Sequence, residues 1–125
     1  MKKAKNILII AISLLLVSCS GSDVYRGNWK ATDESETKLD IVFGENDFSI
    51  TENGETKNFE YTQNSVSIKN SVETYGIKLD DGRSFQIYFP IADDESKGAI
   101  LDANGRPLYI IGRNNYLKYE DVFGL

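Results

Sequence analysis

Histidine is absent from this 125-residue chain, and cysteine occurs once, at Cys19. Those two facts remove most side-chain chemistry available near neutral pH. Without histidine there is no Ser-His-Asp triad, and the commonest general base and metal ligand is missing. One cysteine cannot form an intrachain disulfide or a Cys/His zinc site. Carboxylates remain, clustered at Asp80-Asp81 and Asp93-Asp94-Glu95. Glycoside hydrolysis needs two carboxyl groups facing each other across a cleft, which neighbours within one turn do not provide. Asp81 precedes Gly82, and turn chemistry accounts for it. The 93–95 cluster offers oxygen ligands for Ca²⁺ but lacks the spaced Asp/Asn and Gly pattern of a calcium loop. No glycine-rich phosphate loop opens a helix. The expectation is a protein that is not an enzyme, with no metal site and no cofactor.

Cys19 has a context of its own. Lys2, Lys3 and Lys5 precede an apolar run from Ile7 to Val17, broken only by Ser13. A membrane span needs roughly 20 apolar residues, about twice this run. A charged start and a short apolar core are the layout of a secretory leader. The run ends in Leu16-Val17-Ser18-Cys19, which resembles the bacterial lipobox. An ordinary leader ends in a small-residue cleavage pattern and frees a soluble protein; a lone cysteine at the boundary is what a lipoprotein needs. The resemblance implies cleavage between Ser18 and Cys19. It also implies a diacylglyceryl group on the Cys19 sulfur and a third acyl chain, such as palmitate, on its amine. Each buried methylene contributes roughly 0.8 kcal/mol and one chain binds only marginally, so two or three chains hold firmly. The implied address is the bacterial cell envelope, at the outer membrane, with the periplasmic and surface faces both open. The organisation expected is a signal peptide over 1–18, a lipidated cysteine and tether over 19–24, and one domain over 25–125.

Removing residues 1–18 takes Lys2, Lys3 and Lys5 away from 14 basic residues; the remaining 11 face 19 acidic ones, a side-chain charge of −8. That balance argues against nucleic acid and against electrostatic attraction to anionic lipid. It suits solubility beside a negative surface, or a basic partner.

After residue 24 the pattern is that of β structure. Leu39, Ile41 and Phe43 alternate with Asp40 and Val42 and so share a face. Phe48 and Ile50 repeat this, followed by Phe59 and Tyr61, Val66 and Ile68, then Tyr75, Ile77 and Leu79. Phe85 to Ile91 makes the longest inward run. Leu108 and Ile110 alternate with Tyr109 and Ile111, so both faces are covered there. Tyr116 to Tyr119 closes the set. Asn53-Gly54 and Asn104-Gly105 are two-residue hairpin signals, since both positions of a type I′ turn take positive φ. Asp81-Gly82 is a third; Gln63-Asn64 and Asn70-Ser71 are weaker turns. Gly112 to Asn115 reads as a longer hairpin loop and Ala92 to Gly98 as a polar loop. Pro90 and Pro107 mark an edge, a strand start or a bulge. No segment keeps a helical period. About eight to ten short strands joined by tight turns predict an all-β fold, an antiparallel barrel or sandwich; hairpin after hairpin with few long crossovers favours a small up-and-down barrel, whose closure removes exposed edges.

Gly27-Asn28-Trp29 stands at the start of the first strand. A Gly-x-Trp there resembles the opening of lipocalins and other calycins. In that superfamily the tryptophan plugs one end of the barrel and a basic residue from late in the chain stacks on it. The resemblance therefore implies a plug of Gly27, Trp29 and Arg113, with Arg106 as the second candidate. It also implies a binding role. Phe43, Phe48, Phe59, Phe85 and Phe89 fall on inward faces, where they either line a pocket for a small apolar ligand or fill the interior. Tyr88, Tyr109 and Tyr116 are placed outward. Two other functions are consistent with the sequence: an anchored protein-binding module of the inhibitor or immunity type, and an accessory structural lipoprotein. Oligomeric state is not legible.

Overall fold

A computed structural model describes residues 23–124. The 1–18 leader, the lipobox, Cys19 and most of the tether lie outside the described residues. The strands are β1 (Gly27–Asp33), β2 (Lys38–Phe43), β3 (Asp47–Glu52), β4 (Glu55–Lys69), β5 (Val72–Leu79), β6 (Ser84–Phe89), β7 (Lys97–Asp102) and β8 (Pro107–Gly112). A short helix, α1 (Tyr119–Phe123), follows. Each strand pairs antiparallel with the next, and β8 returns to β1, with Lys30 opposite Gly112 and Asp33 opposite Tyr109. The result is the closed up-and-down barrel that the alternation predicts.

The barrel has two ends. At one, the chain enters β1 beside the 44–46, 70–71 and 90–96 connections. At the other lie the 34–37, 53–54, 80–83 and 103–106 connections. Inside, Leu39, Ile41 and Phe43 of β2 are buried while Asp40 and Val42 face out. The same alternation buries Tyr75, Ile77 and Leu79 of β5 and Ile87 and Phe89 of β6.

Turn chemistry fixes the register at each hairpin. Asn53 and Gly54 take φ of 52° and 79°, and Asn70 and Ser71 take 53° and 64°, so both make two-residue turns with two positive φ values. The Asn104-Gly105 hairpin differs from its expectation, because only Gly105 has positive φ (85°). The turn is longer: Gly105 N–H donates to Asp102 O at 3.0 Å, and Asp102 N–H to Arg106 O at 2.9 Å. The Asp102 carboxylate accepts the Asn104 and Arg106 N–H groups at 2.8 and 2.9 Å, which makes this wider turn the favourable one. Asp81-Gly82 has the same form, with only Gly82 at positive φ.

Several other expectations change. Gln63-Asn64 is not a turn; β4 runs through it as a single strand of 15 residues, and a register shift between Gln63 and Ser65 absorbs Asn64 as a bulge. Val66 lies opposite buried Tyr75 but is 46% exposed, and Ile68 is 62% exposed. The β4–β5 hairpin projects past the barrel end there, so an inward-type face meets solvent. The Phe85 run stops at Phe89, because Pro90 follows and cannot extend the ladder. Pro107 opens β8 at a register shift in the β7–β8 pairing.

Tyr116 to Tyr119 adds no strand. β8 already pairs with β1, so no edge is left for a ninth. Gly112 to Asn115 accordingly leads out of the sheet to α1 and is not a hairpin loop. The Thr32 hydroxyl donates to Leu117 O at 2.6 Å and fixes this tail to β1. Val122 of α1 packs with Ala99, Leu101 and Ile110 on the outer wall, forming a second small core. That explains why β7 carries no readable period: Gly98, Ala99, Ile100 and Leu101 are all buried, covered on both faces. It also shortens the expected Ala92–Gly98 loop. A Cβ on Gly98 would sit 2.6 Å from Tyr88 O, so only glycine allows the close approach of β7 to β6.

Candidate functional site

The chain-entry end is closed. Trp29 is 1% exposed, and its indole N–H donates to Tyr25 O at 2.7 Å. Phe89 packs beneath it, ring centroids 5.9 Å apart. The Arg113 guanidinium lies 3.8 Å from the indole centroid. Its nitrogens donate to Asn28 O (3.0 Å), Val24 O (2.9 Å) and Arg26 O (2.8 Å). Burial alone holds the Arg113 pKa below its ordinary value. Gly27 has φ of 104°, and a Cβ there would stand 3.1 Å from Arg113 Nη1. The positive φ favours glycine, and a Cβ would also crowd the guanidinium. Arg106 is elsewhere, pairing with Glu34 at 2.7 Å at the opposite end.

A polar group at this end carried no sequence signal. The hydroxyl of buried Tyr25 accepts a hydrogen bond from Gln63 Nε2 (2.9 Å) and lies 3.3 Å from the Tyr61 hydroxyl, to which it donates. The Tyr61 hydroxyl donates its proton to Gly44 O at 2.7 Å. Burial, then the hydrogen bond with Tyr25, pushes the Tyr61 phenol well above its ordinary value of 10.0. Such a group is neutral and structural.

The other end holds a cavity of about 170 Å³. Phe43, Phe48, Phe59 and Phe85 line it, with Ile77 and Ile100 among the deeper walls. Phe89 does not line it, being committed to Trp29. Tyr109, placed outward by sequence, faces inward instead and lines the cavity, because β8 pairs Tyr109 with Asp33 and Ile100 in a register that buries Ile111. Tyr88 and Tyr116 do lie outside. Tyr88 stacks on Phe123, and Tyr116 sits under Lys30 and Lys38 with its hydroxyl donating to Asp40 at 2.9 Å.

Arg83 covers the cavity mouth. Its guanidinium carbon lies 5.5 Å from the Phe59 centroid and 5.8 Å from that of Phe85. Its Nε and Nη2 donate to Asp81 Oδ2 at 3.0 and 2.8 Å and Nε also to Oδ1 at 3.2 Å, which holds Asp81 below the usual carboxylate range. Beside the mouth, a polar groove of about 390 Å³ shares Ile50, Phe59 and Tyr109 with the cavity and adds Glu52 and Lys57. A wider open groove of about 790 Å³ runs along the outer wall between the 34–36 turn and the tail, with charges of both signs.

The carboxylate clusters have structural roles. Asp94 accepts the Ser96 N–H and hydroxyl at 2.9 and 2.6 Å and so builds its own turn. Asp80 faces Glu60; their hydrogen bond and the Asp80 charge raise Glu60 above its ordinary value. Neither cluster faces a second one across the cavity.

No family model, curated protein or solved structure matches the chain. Its class is given by the fold: a small closed eight-stranded antiparallel barrel, sealed at one end by Trp29 and Arg113 and carrying a lined cavity at the other.

Proposed function

We propose that this protein is a lipid-anchored, lipocalin-like envelope lipoprotein that binds a small apolar ligand at the barrel mouth and does not catalyse. The observation that carries this reading is the Phe-lined cavity under Arg83. Its volume suits a small ligand. Drug-sized pockets run from roughly 300 Å³ upward, while an apolar cavity of about 150 Å³ takes up benzene. The occupant is therefore one ring or the end of a short acyl chain, the remainder lying along the neighbouring groove. The lipobox and lone Cys19 support the anchor; the absence of histidine supports a non-catalytic role.

The test is an NMR titration of Ser20–Leu125 with benzene, pentanoate and octanoate. Shifts confined to Phe59, Phe85, Ile100 and Tyr109 are expected. No saturable shift with any of the three overturns the ligand reading. For the anchor, Cys19→Ser should move the protein from the membrane to the soluble envelope fraction; an unchanged membrane fraction overturns it.

A further inference from the structure

The outer wall formed by β4, β5 and β6 differs in chemistry from the rest of the surface. Ser67 lies opposite Thr74, and Ser65 lies opposite Gly76, which in turn faces Gln86 on β6. Residues two apart share a face. Thr74 and Gly76 of β5 therefore face out while Tyr75 and Ile77 are buried, and Ser84 and Gln86 of β6 face out while Ile87 is buried.

The bulge in β4 adds a further side chain to this face. A Cβ on Gly76 would stand 2.8 Å from Asn64 Oδ1 and closer still to Ser65 Oγ. Two consecutive side chains, Asn64 and Ser65, thus lie outward over the bare backbone of Gly76. Gly76 has no positive φ that would call for glycine, and glycine inside a strand costs stability. Bulges re-aim side chains beside binding sites, and a strand glycine marks a place of close approach to the backbone.

A depression of about 220 Å³ lies here, lined by Asn64, Ser65, Ser67, Thr74, Ser84 and Gln86 around Gly76. None of its lining residues is charged, in a chain that is 26% charged. Among the described residues these six side chains enter no hydrogen bond or ion pair. Four hydroxyls and two amides remain, each able both to donate and to accept. An anion would meet no cation in the depression, since Lys78 does not line it. An apolar molecule would take water from polar groups and return no bond. The complementary ligand is uncharged, and its own groups both donate and accept.

We propose that this depression is a second binding site, which takes one ring of a neutral saccharide. Its volume falls below the roughly 300 Å³ at which drug-sized pockets begin, so a single ring seats over Gly76. Further sugar units run along the sheet surface. Ile77 and Phe85 belong to the same wall and line the apolar cavity on its inner side. The two sites therefore lie back to back, and the saccharide site does not rest on the ligand reading of the cavity.

An amide NMR titration of Ser20–Leu125 with maltotriose, cellotriose and tri-N-acetylchitotriose tests it, with inorganic phosphate in a parallel series. Saturable shifts with at least one trisaccharide are expected at 64–67, 74–76 and 84–86, and none with phosphate. Gln86→Ala and Thr74→Val should each raise the saccharide dissociation constant about threefold to tenfold, the loss of one hydrogen bond. The urea midpoint should stay close to that of the wild type in both, since neither side chain bonds within the fold. Gly76→Ala should abolish binding; if it unfolds the barrel, the other two variants decide alone. No saturable shift with any trisaccharide overturns the proposal. So do shifts centred on Phe59 and Tyr109, saturation of the same amides by phosphate, or an affinity that neither Gln86→Ala nor Thr74→Val weakens.

Discussion

The Arg113 guanidinium lies over the Trp29 ring at 3.8 Å, one residue just past the end of β8 and the other within β1. The contact joins the first and last strands of the barrel at the point where the sheet closes. The same guanidinium takes three backbone carbonyls, of Val24, Arg26 and Asn28. Arg113→Ala leaves those carbonyls without a donor and removes the cation from the indole. The expected loss is about 2–4 kcal/mol in urea unfolding. Arg113→Lys should recover only part of it, because an ammonium cannot present the planar fork.

Gly27→Ala tests the plug from the backbone side. The new methyl meets Arg113 Nη1 at a φ that L residues rarely adopt. A loss of about 1–3 kcal/mol is expected, read in the same unfolding assay. Combined with Arg113→Ala, the two losses should be less than additive, since removing the guanidinium removes the clash.

Tyr61 makes the fold sensitive to base. Its folded pKa is raised, so the folded state holds the phenolic proton more tightly than the unfolded chain. That contribution is complete below pH 10, the unfolded value, and is lost as pH rises from there through the folded value. Stability should fall with pH above 10, and Tyr61→Phe should flatten the decline attributable to this group. Unfolding midpoints of both proteins across that range check the slope.

Ile100→Phe is directed at the cavity. The larger ring fills space that the wild type leaves at the mouth end. Stability should change by less than about 1.5 kcal/mol, because the added volume enters a void and not a packed core. Benzene and pentanoate shifts should vanish. Persistence of saturable binding in this variant would place the ligand elsewhere.

Val122→Asp should detach α1 from the outer wall. Val122 is 4% exposed among Ala99, Leu101 and Ile110, and an unpaired charge cannot remain there. Amide exchange in 117–124 should rise while the barrel amides of β2 and β5 stay protected.

Much of the fold was legible in the sequence, because most strands have one wet face. Leu39, Ile41 and Phe43 announce β2, and Asn53-Gly54 announces the following hairpin. β7 was not legible for the opposite reason: α1 covers its outer face, so Gly98 to Leu101 shows no alternation. α1 itself is one turn and a half, too short for a period to show. β4 was split at Asn64 because a bulge and a turn share the same residue type. At the plug, Gly27, Trp29 and Arg113 were named through a family resemblance. Tyr25 was not, since a tyrosine outside any strand carries no periodic signal. The cavity could not be read either. Its walls are the inward phenylalanines, but Tyr109 and Arg83 join them only through register and turn geometry.

Arg113 clamps the carbonyls of Val24 and Arg26, the residues through which the chain enters the domain. Tension applied through the segment before Asp23 therefore does not peel β1 from its free end. It passes through the guanidinium into β8, and from Trp29 into Phe89 on β6. β1 is held by β2 on one side and β8 on the other, so separating it means shearing both ladders together. The plug that seals the barrel is also the fitting through which it would bear a mechanical load.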